Sequence, residues 1–152
     1  MNVKQGSASA FVAYIAELHR AVHAVGLFLE AQIGGEVSQP EALVIMHLSE
    51  HPVSTINDLH RAFLHRRSTL TSVLDRLEGK CLVERGSSGT DRRNVGIKLT
   101  AQGAHAADAI SRAIDRLRGE IESSVTIGKR DVARLRTVAE QASSMASIRT
   151  ML

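Results

Sequence analysis

The chain contains one cysteine, Cys81, among its 152 residues. A lone cysteine excludes an internal disulfide framework and any metal site built from several thiolates. Apolar runs are short as well. None approaches the ~20 consecutive residues that cross a bilayer, and the N-terminus lacks a basic stretch followed by a hydrophobic one. The expectation is a cytoplasmic protein with no membrane partner. Also missing are a Gly-rich phosphate loop, a nucleophile motif and a His-Glu-x-x-His zinc helix, so neither enzymatic activity nor a cofactor is expected. No internal repeat or low-complexity linker interrupts the chain.

What remains is an ordinary globular composition, 43% hydrophobic and 23% charged, at a length that suits one domain. The net charge of +3 is unevenly placed. Residues 60–93 hold eight Lys or Arg against four Asp or Glu, a surplus of +4, which leaves −1 for everything else. Phosphates would be attracted to that stretch first.

Residues 54–100 explain why the charge lies there. In Arg66–Glu78, Leu70, Val73, Leu74 and Leu77 recur at offsets of three and four, on one helical face. The other face carries Arg67, Ser68, Thr71, Ser72, Asp75 and Arg76. A shorter amphipathic segment, Ile56–Phe63, comes just before it, with Thr55 or Ser54 as its cap. Two short helices closely joined, the second bearing arginines and short hydroxyls, satisfy what reading a major groove requires. Leu82–Arg85 and Gly96–Thr100 then read as two strands, and the polar stretch Gly86–Asn94 as the hairpin tip between them. A hairpin with Arg92 and Arg93 at its tip, beside a recognition helix, is a wing suited to a narrow minor groove.

Longer helical patterns flank this core. From about Ala8 to Gln32, Phe11, Ile15, Leu18, Val22, Val25, Leu29 and Ile33 form one apolar stripe, ended by Gly34-Gly35; residues 1–7 are expected to fray. Ser38-Gln39-Pro40-Glu41 has the form of a capping box that opens a helix ending near His51-Pro52. After Thr100, one helix is expected to about Ser124 and another from Asp131 to about Ile148. So long a first stripe exceeds what a small winged motif can cover, and a second chain is the expected partner.

The quoted pieces resemble the MarR (multiple antibiotic resistance regulator) transcription factors. Arg67-Ser68-Thr69-Leu70-Thr71 is similar to the opening of that family's recognition helix. Leu77–Arg85 follows it, and Asp91-Arg92-Arg93-Asn94-Val95-Gly96-Ile97-Lys98-Leu99-Thr100 is similar to the wing signature. The resemblance implies a mainly α fold (α+β winged helix-turn-helix) of about six helices with a two-stranded hairpin wing, dimerised through intertwined terminal helices. It implies one domain over residues 1–152, with 8–36 and 101–152 as dimerisation helices and 37–100 as the DNA-binding core. Two positions depart from the family. Cys81 stands where glycine is usual, so the recognition helix is expected to end sooner or differently, and Leu64-His65 replaces a turn that commonly carries glycine.

The expected function is a sequence-specific regulator, a repressor that binds a palindromic operator as a homodimer and is released by a small aromatic or anionic effector. The DNA contacts are assigned to Arg66, Arg67, Ser68, Thr69, Thr71, Ser72, Arg76, Arg92 and Arg93, with Asp91 shaping the wing. Ordinary helix surface, a capping role for Ser68, and pairing of the arginines with Asp75 or Glu78 are the competing assignments. His19 and His23, four apart, and His47 with His51 have a spacing that lets two imidazoles share an ion, but no third ligand is fixed. His19, His23 and His47 are instead candidates for an effector pocket. A metal- or oxidation-responsive regulator, the latter through Cys81, is the alternative of the same fold. A winged module that binds protein is the more distant one.

Overall fold

A computed structural model describes the backbone of residues 3–88 and 91–148, and the side chains of residues 9–86 and 95–146. Six helices and one hairpin follow in the order α1 (Val3–Gln32), α2 (Gln39–Glu50), α3 (Ile56–Phe63), α4 (Arg67–Gly79), β1 (Val83–Ser88), β2 (Asp91–Leu99), α5 (Ala101–Glu122) and α6 (Lys129–Ile148). Helix α1 starts five residues before the expected position, so helix replaces the fraying expected at its start.

The core forms where α2, α4, the hairpin and the first half of α5 meet. Ala42, Val44, Ile45 and Leu48 of α2 are buried against Leu70, Val73, Leu74 and Leu77 of α4 and against Ile110 and Ala113 of α5. Leu59 enters from α3, and Leu82, Val83 and Ile97 from the hairpin. The stripe read in residues 66–78 is therefore the buried face of α4. Of the α1 stripe, only the far end joins the core. Leu29 is buried and Val25 and Ile33 pack at the edge, whereas Phe11, Ile15 and Val22 are exposed.

The wing is longer than expected. β1 and β2 pair antiparallel from Val83↔Leu99 to Ser87↔Val95, with a register shift at Ser87/Ser88 before Ser88↔Asp91, so residues 86–88 and 91–94 are strand and not loop. The cause is main-chain hydrogen bonding, which a polar ribbon can sustain without burying its side chains. Ser54 adds a third, one-residue rung: its N–H donates to the Ile97 carbonyl at 3.1 Å and its carbonyl accepts from Ile97 at 2.8 Å. With Ser54 thus engaged, Thr55 caps α3, accepting the Asp58 N–H while the Asp58 carboxylate accepts the Thr55 N–H.

Helix α4 does not end early. Its stop is a Schellman motif: the Leu82 N–H donates to the Leu77 carbonyl and the Cys81 N–H to that of Glu78, both at 2.9 Å. The left-handed residue is Cys81 itself, at φ 57°. Gly79 keeps helical geometry, so the glycine two residues upstream does not relocate the stop. A second non-glycine residue, Leu64, is left-handed at φ 55° and closes α3.

By length and composition alone Ser9–Gln32 is a helix long and apolar enough to cross a membrane, a test that core helices of soluble proteins also pass. Glu17, His19, Arg20 and His23 keep every run of consecutive apolar residues in it short without making the segment polar on average. Its exposed side chains include Phe11, Val12, Tyr14, Ile15, Val22 and Leu27. Helix α6 likewise leaves Val132, Leu135 and Met145 exposed.

Candidate nucleic-acid interface

Helix α4 is held by one face and open on the other. Leu70, Val73, Leu74 and Leu77 are at most 2% exposed, while Arg67, Ser68, Thr69, Thr71 and Ser72 all lie in solvent. The N-cap is Arg66, not Ser68, and its side chain makes no capping hydrogen bond. Arg66 and Arg67 make no ion pair among the described residues, so both guanidinium groups are available.

Thr71 and Ser72 are oriented by the helix itself. Thr71 Oγ1 donates to the Arg67 carbonyl at 2.9 Å, and Ser72 Oγ to the Ser68 carbonyl at 3.1 Å. With its proton spent on the main chain, each hydroxyl offers only lone pairs outward. A phosphate, which has no proton to give, is then a poor partner, and a base amino group a good one.

Arg76 lies elsewhere. Its Nε donates to Glu41 Oε1 at 3.0 Å, so its partner belongs to α2 and is neither Asp75 nor Glu78. Those two acids pair with Arg85 of β1, which fastens the wing's first strand to α4. Glu41 also accepts from Lys80 Nζ at 2.8 Å and from the Ser38 N–H at 2.8 Å, completing its side of the capping box. Burial raises the Glu41 pKa, but Lys80, the Ser38 amide and Arg76 together outweigh it and hold the carboxyl below its ordinary value. The clamp joins residues 35 and 39 positions apart. The capping box pointed to Glu41, yet nothing in the sequence linked it to Arg76 and Lys80.

The side chains of Asp91, Arg92 and Arg93 lie outside the described residues; their backbone belongs to β2. The histidines divide into two groups. His19 and His23 stack on the exposed part of α1 with ring centroids 6.4 Å apart. His47 stacks on His51 at 4.4 Å and meets Phe63 of α3 edge-on at 5.5 Å. His47 thus serves the α2–α3 contact, and among the described residues no contact brings it to His19 or His23. Burial, then the neighbouring His51, lowers its pKa, and its buried Nε2 has no partner. No group of three or more potential metal ligands occurs among the described residues. Cys81 is exposed and free.

Residues 36–94 match a family model described as MarR family. The HTH-type transcriptional regulator YfiV of Bacillus subtilis (strain 168) is 35% identical over 65 residues, 43% of this chain. The match covers 41% of the length of that relative. Two solved structures share the architecture. Reduced AbfR bound to DNA superposes with a TM-score of 0.71 at 21% identity, covering 95% of this chain and 99% of the other. A cysteine-to-serine mutant of MarR from E. coli, complexed with operator DNA, gives 0.65 at 22% identity over 86% and 94%. At such identities the likeness is one of fold. Residues 36–94, the winged core, are thus similar to the MarR family, and the helices around them share the arrangement of both solved structures.

Proposed function

We propose that this chain is a cytoplasmic, sequence-specific DNA-binding regulator, a repressor that acts as a homodimer on a palindromic operator and is released by a small molecule. The observation that carries the DNA reading is α4: one face at most 2% exposed and locked into the core, the opposite face a solvated row of Arg67, Ser68, Thr69, Thr71 and Ser72. A helix fixed in this way can enter a major groove without losing its own packing. Arg66 and Arg67 would bind phosphate or guanine, and Thr71 and Ser72 would accept from base amino groups. Arg92 and Arg93 would enter the minor groove, with Asp91 shaping the wing. Arg76, engaged with Glu41, would act mainly by setting the orientation of α4.

The dimer reading rests on the exposed apolar side chains of α1 and α6, which a second copy would cover. Residues 8–36 and 101–152 would then form the dimer and 37–100 the reader, within one domain. A two-fold axis would set two recognition helices about 34 Å apart, one turn of duplex.

Selection of bound duplexes from a random pool, at two salt concentrations, tests this. The expected product is a palindrome with half-sites one helical turn apart and an affinity that falls steeply with salt. Enrichment of a single unpaired half-site would overturn the dimeric reading, and no enrichment at either salt would overturn DNA recognition by the free protein.

A further inference from the structure

The turn between α3 and α4 is closed by a histidine. Leu64 is left-handed there, which is unfavourable for an L-residue, and His60 bonds to the chain around it. The His60 carbonyl accepts the Leu64 N–H at 2.9 Å, and the ring bonds through Nδ1 to the His65 carbonyl at 2.5 Å. A carbonyl can only accept, so Nδ1 carries the proton and Nε2 of the neutral ring keeps a lone pair. Nε2 has no partner among the described residues and is not a buried atom, so it reaches solvent.

The surroundings are cationic. Residues 59–74 contain Arg61, Arg66 and Arg67, two histidines and no acid. The three arginines are exposed and make no ion pair among the described residues. Asp58, on α3 itself, is held by the Thr55 hydroxyl and N–H. From α2, His47 meets Phe63, whose ring lies 6.4 Å from that of His65, while His51 and Glu50 are exposed. From the wing, Lys98 is paired with Glu84. In a helix-turn-helix the first helix crosses the phosphate backbone and the N-terminal end of the second enters the groove. His60 lies on the first helix and is bonded to the residue before the N-cap of the second, so its ring marks the seam where both would meet one strand.

A phosphate has no proton to give, and a lone pair on Nε2 offers it none. Contact therefore demands the doubly protonated ring, with Nδ1–H on the His65 carbonyl and Nε2–H on a phosphate oxygen. We propose that His60 is a phosphate-binding residue of the reader, and that each protomer takes up one proton from solvent at this ring when it closes on duplex DNA. This rests on the DNA-binding function proposed above. Binding and protonation are then reciprocal: acid favours the bound form, and DNA favours the charged ring. Imidazole is the side chain that changes charge between about pH 5 and 8, so the coupling is felt near neutrality.

The probe is a duplex retained from the random pool, with the unselected pool beside it, because a phosphate contact is indifferent to sequence. Affinity should rise by at least about threefold as pH falls from about 8 to about 6, and by at most about tenfold per pH unit for each protomer engaged. Titration calorimetry in two buffers of unlike ionisation enthalpy should show net proton uptake on binding. His60→Asn keeps an N–H for the His65 carbonyl and removes Nε2. It should leave thermal stability unchanged and flatten the pH profile. It should also lower the log–log salt slope by about 1 per protomer at about pH 6, and not at about pH 8. His65→Gln should keep the wild-type profile. If His60→Asn does not fold, the wild-type calorimetry decides, since absence of proton uptake overturns the proposal. So does a pH profile that is unchanged in His60→Asn, or one that moves with His65→Gln instead. Binding without proton uptake overturns this inference alone, whereas failure to bind either duplex at any pH overturns the DNA-binding reading with it.

Discussion

Gly103 lies so close to Leu82 that a Cβ built on it would come within 1.9 Å of the Leu82 carbonyl oxygen. That carbonyl also accepts the Thr100 N–H at 3.1 Å, while Thr100 Oγ1 donates to the Cys81 carbonyl at 2.6 Å and accepts the Gly103 N–H at 3.0 Å. The end of α4 and the start of α5 are thus one hydrogen-bonded joint. The obstacle is main chain on both sides, so no side-chain rotation relieves it. Gly103→Ala should destabilise the fold by on the order of 3 kcal/mol. At this length that corresponds to a Tm lower by about 6–12 °C. A scanning calorimetry shift smaller than 2 °C, against the ~2–4 °C that one kcal/mol brings, would contradict the close approach.

Cys81 and Gly79 make opposite demands. Cys81 holds φ 57°, which costs an L-residue roughly 1–2 kcal/mol, and Gly79 is helical with open space where a Cβ would go. Cys81→Gly and Gly79→Ala should therefore each stabilise, by about 0.5–1 kcal/mol. Urea midpoints of the two variants check this. If the helix stopped at Gly79 instead, the alanine substitution would lower the midpoint.

The same joint measures how far the sequence could be read. Periodicity fixes which residues of 66–78 face inward, because a helix repeats its environment every three to four residues, and all four predicted apolar positions are buried. The Ser38–Glu41 and Thr55–Asp58 capping boxes are equally local, and both carboxylates lie where their spacing puts them. The fate of Arg76 is not local. Its choice of Glu41 over Asp75 depends on how α2 packs on α4, which no window of sequence contains. Likewise the length of the wing depends on main-chain pairing that is indifferent to side-chain polarity, so a polar ribbon read as loop. His47 was legible as half of an i, i+4 pair with His51, but its edge-on contact with Phe63 depends on how α3 packs on α2 and was not.

Glu41 is 1% exposed and joins α2 to two cations at the end of α4. Arg76 and Lys80 are 51% and 39% exposed, so both would regain water if Glu41 lost its charge, which discounts the ion pairs. Glu41→Gln keeps the shape and removes the charge, and should cost on the order of 2 kcal/mol in urea unfolding at pH 7. Because the folded carboxyl titrates below its ordinary 4.5, its contribution is complete above that pH and fades as pH falls through the folded value. Wild type and Glu41→Gln should accordingly converge in stability as pH falls below 4.5. A constant difference between them across that range would show that the charge is not what Glu41 contributes.

A second acid response should begin at higher pH. His47 titrates below the ordinary histidine value of 6.5 because burial and His51 disfavour its cation, against the weaker pull of Glu50 and Asp58. Unfolding frees it to take up a proton, so its contribution is full above pH 6.5 and is lost as pH falls toward the folded value. One such group can account for a slope of at most about 1.4 kcal/mol per pH unit. His47→Phe should keep the edge-on contact with Phe63 and flatten stability as pH falls below 6.5, leaving the Glu41 response below 4.5. An unchanged slope in that window would place the sensitivity on another group.

The face of α4 makes the final distinction, between residues that hold the helix and residues that read with it. Arg67 is exposed and makes no ion pair among the described residues, so Arg67→Ala should weaken binding to every duplex alike and reduce the log–log salt slope by about 1. Ser72 has given its proton to the Ser68 carbonyl and faces outward as an acceptor. Ser72→Ala should leave the salt slope unchanged and relax preference at one base pair, the one presenting an amino group, by about 1–3 kcal/mol. Arg76→Ala should differ from both. Its loss frees Glu41, so thermal stability should fall along with affinity, and base preference should blur at several positions as α4 loses its set orientation. Affinities of the three variants on one selected duplex and its single-base substitutions, at two salt concentrations, separate the classes. If Arg76→Ala changed the salt slope by a full contact without loss of stability, Arg76 would belong with the phosphate-binding arginines, and the Glu41 clamp would be a feature of the unbound protein alone.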